Sequence, residues 1–373
     1  MATSWDEIRR EFPGLEGKAY LNAAATSPIP RPVREAAERF YRELEAGGDG
    51  PWNEWMDRRE EVRQRVARFV GGEPDEIAFV ANTSSGINLI VDLLEGEGPV
   101  LSDELEFPAV TLPWIHRGMT VHFMPAVEGV LRIESFAASQ APRAATICIS
   151  HVQFSNGCRQ DLDAFGAIKG RRRLVVCGSQ SVGAFPLDVR KSRIDALATA
   201  GHKWLCAGYG AGFVYISREL LAARPPRAIG WMSVEDPFAF DNRQCRVKGS
   251  NARNELGCPS FASIFALGAA VEFLDGIGIQ AIAERILSMN MYLTFRLGRA
   301  GFEVLSPGGG HRSGQTLVRV EEPARACAFL KARGVLVTEK PEGVRIATHF
   351  YNVESEVDAC VAGLEAFRQT FVP

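Results

Sequence analysis

Between Glu76 and Ser217, short apolar runs alternate with amphipathic stretches, and this rhythm limits the fold more than any other feature of the chain. It predicts strands at Ile77–Val80, Val100–Ser102, Val121–Met124, Thr146–Ser150, Leu174–Cys177, Ala196–Thr199 and Gly212–Ile216. Helix-like stretches such as Ile87–Leu94 and Asp161–Lys169 fall between them. Strands that alternate with helices form a mainly parallel sheet covered on both faces. The expected class is therefore α/β. Such sheets bind ligands at the carboxyl ends of their strands, in the loops that enter the helices.

Residues 225–259 are rich in Gly, Pro, Asn and Arg and read as an irregular connector. Beyond them, Ser260–Leu274 and Ile279–Ala300 read as helices. Thr316–Val320, Ala324–Ala332, Val335–Thr338, Val344–Ala347 and Glu354–Phe371 then make a compact α+β unit. A chain of 373 residues suits one large domain plus a smaller one. The expected division is 18–255 for the large domain, with 1–17 and 256–373 forming the small one.

Composition narrows the function by exclusion. Lys and Arg number 42 against 45 Asp and Glu, so the chain has no basic footprint for nucleic acid or an acidic membrane. No apolar run approaches the ~20 residues of a membrane span, and the start, Met1–Glu7, lacks the basic and apolar segments of a secretory signal. Eight cysteines are present, but the closest two, Cys148 and Cys158, are ten residues apart, so there is no C-x-x-C metal or redox unit. Six of the eight sit in apolar or semi-apolar surroundings as small core residues, which points to a reducing cytoplasm.

Three segments can carry chemistry. Gly201-His202-Lys203 follows a strand and precedes the turn Gly208-Tyr209-Gly210-Ala211-Gly212, which sets a lysine at the ligand edge of the sheet, a place suited to a Schiff base. The run Cys177-Gly178-Ser179-Gln180-Ser181-Val182-Gly183 opens from a buried strand into a small-residue loop. Asn82-Thr83-Ser84-Ser85-Gly86 joins a strand to a helix, where hydroxyls and free amides suit a phosphate, although such residues also serve as plain helix caps. No G-x-G-x-x-G follows a strand and no G-x-x-x-x-G-K-[ST] is present, which disfavours a dinucleotide or nucleoside triphosphate.

In this order and spacing the three segments resemble the class V aminotransferase superfamily of pyridoxal-phosphate enzymes. That superfamily includes cysteine desulfurases, selenocysteine lyases, kynureninase and isopenicillin N epimerase-like proteins. The resemblance runs from Tyr20-Leu21-Asn22-Ala23-Ala24-Ala25 to Gly343-Val344-Arg345-Ile346-Ala347-Thr348-His349-Phe350-Tyr351-Asn352. It implies the fold type I architecture, a homodimer with shared active sites, and an amino acid as the small-molecule substrate. By the same resemblance Lys203 forms the imine with the cofactor aldehyde and later moves protons at the substrate Cα. Thr83, Ser84 and the Ser85 amide would hold the cofactor phosphate, with His202 nearby, and Gln180 would bond the phenolic oxygen. Phe107 would stack on the ring where desulfurases place a histidine. Arg345 would grip the substrate carboxylate as a bidentate fork, and Asn22 is assigned to the substrate as well.

Four positions depart from the family pattern. Cys177 stands where an aspartate normally faces the pyridine nitrogen, and a buried thiol is mostly neutral, so that nitrogen is expected to be largely unprotonated. Ala200 replaces a serine, and Cys258 replaces a threonine that normally reaches the phosphate across the dimer, so each loses a hydroxyl donor. Phe154 takes the place of an asparagine, for which Gln153 or Asn156 could compensate. Between Gly314 and Arg345 the only cysteine is Cys327, inside a helical stretch, which argues against persulfide chemistry.

The leading expectation is a pyridoxal-phosphate enzyme acting at Cα or Cβ, leaning to C–S lyase or epimerase chemistry, because transamination relies most on a protonated ring. A class V aminotransferase is one alternative, and a non-catalytic binding or scaffold protein is another. Residues 231–261 and Trp52-Asn53-Glu54-Trp55 are expected to shape the pocket, though the two tryptophans also fit one buried helical face.

Overall fold

The computed structural model describes residues 4–137 and 144–371. The reading of the chain start therefore lies partly outside the described residues. Seven strands form the main sheet: β1 (Ile77–Val80), β2 (Val100–Asp103), β3 (Val121–Met124), β4 (Thr146–Ser150), β5 (Arg173–Cys177), β6 (Ala196–Ala200) and β7 (Gly212–Ile216). Their spatial order is β1-β7-β6-β5-β4-β2-β3, and only β7 runs antiparallel to its neighbours. Strands β4, β6 and β7 are buried along their whole length. That double-sided burial is why they read as apolar runs without clean alternation.

Helices cover both faces. The first layer holds α1 (Arg31–Gly47), α2 (Trp52–Phe69) and, from after the connector, α5 (Phe261–Ile277). Trp52 and Trp55 share α2, and both rings contact Phe261 of α5, at 5.4 and 5.5 Å between centroids. They are therefore packing residues between helices. On the other face, α3 (Thr83–Leu94) lies against β6 and β7. A Cβ at Gly86 would stand 2.8 Å from the Cβ of Ala198, so only glycine lets this helix settle so close to the sheet. The helix α4 (Pro108–His116) follows β2.

A three-stranded antiparallel sheet, β8 (Gln315–Arg319), β9 (Thr338–Lys340) and β10 (Gly343–Ala347), lies in the order β8-β10-β9. It shares a separate core with α6 (Ile279–Arg299), α7 (Pro323–Lys331) and α8 (Glu354–Phe371). The sequence predicts one strand over Val335–Thr338, and the structure breaks it in two. Val335–Leu336 pairs in parallel with Ala19–Tyr20, whereas Thr338–Lys340 turns to pair with β10. The chain thus changes hydrogen-bonding partner at Val337. Helix α5 packs against α1 and α2 of the large unit, so packing crosses the expected boundary at residue 256.

Among the described residues, no single helix is long and apolar enough to cross a membrane. Among the same residues no group of three or more His, Cys, Asp or Glu is placed to hold a metal ion. All eight cysteines are free thiols.

Candidate active site

The carboxyl ends of β1, β2, β4, β5 and β6 deliver their following loops to one edge of the sheet, as a parallel arrangement requires. Lys203 stands there, three residues past the end of β6. Burial holds its ammonium well below the ordinary lysine range, at about 8, and Arg345 adds to the effect while Cys177 opposes it. Its Nζ lies 6.0 Å from the centre of the Phe107 ring. The backbone around it is rigid: His202 O accepts hydrogen bonds from Ser27 N at 2.8 Å and Thr26 Oγ1 at 2.9 Å. A Cβ on Gly183 would come within 2.4 Å of Trp204 O, so the loop after β5 can lie against the lysine segment only through a glycine in the left-handed region.

Cys177 ends β5 in the buried interior. Burial and the nearby Glu106 both push its thiol up, so it is neutral at physiological pH. Its Sγ donates to Ser179 Oγ at 3.3 Å, and Ser179 Oγ lies 2.6 Å from Thr83 Oγ1. This chain of small polar groups ties the end of β5 to the start of α3. Asn82 is the actual N-cap, its Oδ1 accepting from the Ser85 amide at 2.9 Å. That corrects one expectation: the Ser85 amide is already engaged. The Ser85 hydroxyl is engaged as well, donating to Asn82 Oδ1 at 3.2 Å. The first-turn N–H groups of Thr83 and Ser84 have no acceptor within the helix, and these, with the exposed Ser84 hydroxyl, are the donors left for a ligand.

His202 stacks on Tyr209, centroids 4.6 Å apart, and is held neutral by burial and by Lys203, at about 4. Gln180 is fixed on both sides. Its Nε2 donates to Ala24 O at 3.0 Å and its Oε1 accepts from Trp204 Nε1 at 2.8 Å, leaving one N–H to give. Phe107 is half exposed and meets Phe154 edge-on at 5.1 Å.

Arg345 occupies the other side. It is buried, its Nη1 donates to Phe154 O at 2.9 Å, and its Nε has no acceptor among the described residues. Burial without a carboxylate partner lowers it from the usual range to about 10. Asn22 sits beside it in a parallel bridge with Ala347, and its Oδ1 accepts from Thr338 Oγ1. Cys258 is not brought to this group. It is exposed and lines a separate cleft with Phe79, Gly210 and Ala211. Both residues suggested to compensate for Phe154 have protein partners of their own, although Gln153 Oε1 has none among the described residues. Gln153 Nε2 bonds Asp103 and Glu106, and Asn156 bonds Gly129 O and Cys158 N.

Two features escaped the sequence reading. Asp103, the last residue of β2, and Glu106 form a buried acidic pair, in which burial and mutual repulsion push Asp103 up to about 9. Glu106 is also raised, although it accepts from Ser150 Oγ at 2.6 Å and Gln153 Nε2 at 3.0 Å. Lys340, on β9, places its Nζ 4.6 Å over the Phe154 ring, and burial with Arg345 and Lys203 lowers it to about 8. The only hint in the sequence was its distance of five residues from Arg345.

A lysine whose basicity burial lowers, free helix-terminal amides beside a Thr–Ser hydroxyl pair, a fixed glutamine and an aromatic wall make a donor set that fits pyridoxal phosphate. Residues 19–360 match the family model for class V aminotransferases. The chain is similar to YcbU, an uncharacterized aminotransferase of Bacillus subtilis, at 29% identity over 94% of this chain and 95% of that one. It is similar to the isopenicillin N epimerase of Amycolatopsis lactamdurans at 25% identity over 98% and 99%. In fold it superposes on a cysteine desulfurase of Thermococcus onnurineus NA1 with a TM-score of 0.90, 23% identity, and coverage of 99% and 100%. The chain belongs to the class V aminotransferase family, with the fold type I architecture, and is a pyridoxal-phosphate-dependent enzyme.

Proposed function

We propose that the protein is a lyase of the C–S type or an epimerase, acting at Cα or Cβ of a small amino acid. The observation that carries this reading is the pairing of a buried Arg345 that has no acidic partner among the described residues with a Lys203 whose pKa burial lowers to about 8. A buried, unpaired guanidinium is costly unless a ligand anion neutralises it, and a carboxylate matches its planar fork.

Pyridoxal phosphate, when bound, supplies an aldehyde and an electron-withdrawing ring. Thr83, Ser84 and the α3 amides would hold its phosphate, Gln180 its phenolic oxygen, Phe107 its face, and Cys177 the end of β5. Arg345 orients the substrate, with Asn22 at its side. The Lys203 Nζ, with a pKa near 8, can accept a proton from Cα and return it to either face or to a leaving group. The neutral Cys177 provides no carboxylate to keep a ring nitrogen protonated, which favours elimination or epimerisation over amino-group transfer. Cys327 lies half-buried in α7, its thiol raised to about 11 by burial, which supports a reaction without persulfide. The similarity to YcbU favours the second reading, an aminotransferase.

The test is product formation with and without a 2-oxo acid acceptor. Racemisation, or pyruvate release without an acceptor, supports the first reading, whereas turnover that requires the acceptor establishes the second. We further propose a cytoplasmic homodimer, with 18–255 as the large domain and 1–17 with 256–373 as the small one. The dimer is supported by Trp231, Phe238 and Phe240, which form an exposed cluster at 5.9–6.3 Å spacings, close in sequence to the exposed Cys258. Light scattering on the purified protein decides the oligomeric state.

A further inference from the structure

Arg345 and Thr338 are directly opposed in the antiparallel β9–β10 ladder, so their side chains lie on the same face. Lys340 is two residues beyond Thr338 on β9 and therefore shares that face, as a diagonal neighbour of Arg345. The Phe154 segment joins the two cations: its carbonyl accepts from Arg345 Nη1 at 2.9 Å and its ring lies 4.6 Å from Lys340 Nζ. Phe154 in turn meets Phe107, over which Lys203 stands.

Among the described residues no acidic group lies in ion-pair range of Lys340. Glu339 alternates to the opposite face of β9, and Glu342 sits in the turn beyond it. Lys340 is thus a second cation on the substrate side of the site, acted on by Glu342 from the turn but with no carboxylate in ion-pair range among the described residues. It is not needed for the carboxylate that Arg345 takes. With Nη1 committed to Phe154 O, the Nε edge of the guanidinium stays open and satisfies one carboxylate as a bidentate fork.

We propose that Lys340 is a specificity residue that pairs with an anionic group on the substrate side chain, so that the site takes an amino acid bearing two acidic groups. The proposal rests on the reading of Arg345 as the α-carboxylate grip. Acidic and neutral isosteres differ little in size, so discrimination between them reports the charge at Lys340 rather than pocket shape.

The experiment titrates the visible band of the purified holoenzyme with L-aspartate and L-glutamate, and in parallel with L-asparagine and L-glutamine. The expected half-saturating concentration is at least tenfold lower for the acids. In Lys340→Met the neutral-to-acid ratio is expected to fall to within twofold of unity, and in Lys340→Arg to stay above fivefold. Those three results together support the assignment, since a merely structural lysine would not restore selectivity on replacement by arginine. Equal responses to acids and amides in the wild type, or an unchanged ratio in Lys340→Met, overturn it while leaving Arg345 as the grip. A band that no amino acid perturbs overturns the reading of the site and this inference with it.

Discussion

The two walls of the active site were built by opposite rules. The wall at the end of β5 and β6, where we place the cofactor ring and phosphate, is built from neutral groups. Cys177 is a neutral thiol and Ala200 is a buried methyl. The wall built on β9 and β10 is cationic, with Arg345 and Lys340 each raising the cost of a charge on its neighbour and, among the described residues, no carboxylate in ion-pair range of either. Arg345 is buried without an acidic partner among the described residues and Lys340 is partly buried, an arrangement that a ligand anion would relieve. The contrast assigns the tight electrostatic demand to substrate recognition and leaves the cofactor ring in a softer environment.

The largest effect expected is on the lysine that stands between the walls. Lys203→Ala should abolish turnover and remove the yellow band that borohydride bleaches in the wild type. A band of normal intensity in the variant that borohydride still bleaches would place the covalent attachment elsewhere. Next, Arg345→Met should raise the half-saturating concentration of every amino acid substrate roughly a hundredfold. Each hydrogen bond to a charged group is worth about 1.5–3 kcal/mol. The same variant should leave folding stability unchanged or raise it by about 1 kcal/mol, because a lone buried charge is exchanged for an apolar side chain. Denaturant unfolding checks this, and a marked loss of stability would mean that Arg345 is structural.

The central strands of the main sheet were readable because they are buried along their whole length, which leaves uninterrupted apolar runs in the sequence. Lys203, Gln180 and Arg345 were readable because each lies in a short segment whose neighbours follow a family pattern. Helix α1 was not, since only Val33 and Phe40 of its seventeen residues are buried and charged residues surround them. Lys340 and the Asp103–Glu106 pair were hidden for a different reason. Whether a charged side chain faces solvent or a site depends on strand register, and β9 begins only where the chain leaves its partner Ala19–Tyr20. Asn82 took the cap that Thr83 or Ser84 could also have supplied, a choice fixed by local backbone geometry.

The cofactor wall can be tested by restoring what it lacks. Cys177→Asp should change the visible spectrum of the holoenzyme and its dependence on pH, and shift turnover about tenfold. The new carboxylate would lie near Glu106, so some loss of thermal stability is also expected. An identical spectrum and rate would show that the residue at the end of β5 does not set the state of the ring nitrogen.

A smaller effect concerns pH. In the cofactor-free protein Lys203 and Lys340 both titrate near 8, below the ordinary value of 10.5 that the unfolded chain restores. Between these values the unfolded state binds more protons, so the stability contributed by these sites rises with pH from about 8 to about 10.5 and is lowest below 8. Lys203→Met should flatten the rise in urea midpoint between pH 8 and 10 relative to the wild type. Parallel curves would show that its ammonium is not strained by the fold.

The smallest effect is expected at Cys327, and it sharpens the contrast between the walls. Helix α7 packs beneath β9 and β10, so a nucleophilic thiol there would make the substrate wall a chemical participant rather than an electrostatic one. Burial pushes this thiol up to about 11, and Glu339 adds to the shift, so almost none of it is thiolate at neutral pH. Cys327→Ala should therefore leave turnover within twofold and cost about 1 kcal/mol of stability through lost packing. A loss of activity beyond tenfold with stability intact would require a sulfur intermediate. It would also return the substrate wall to covalent chemistry.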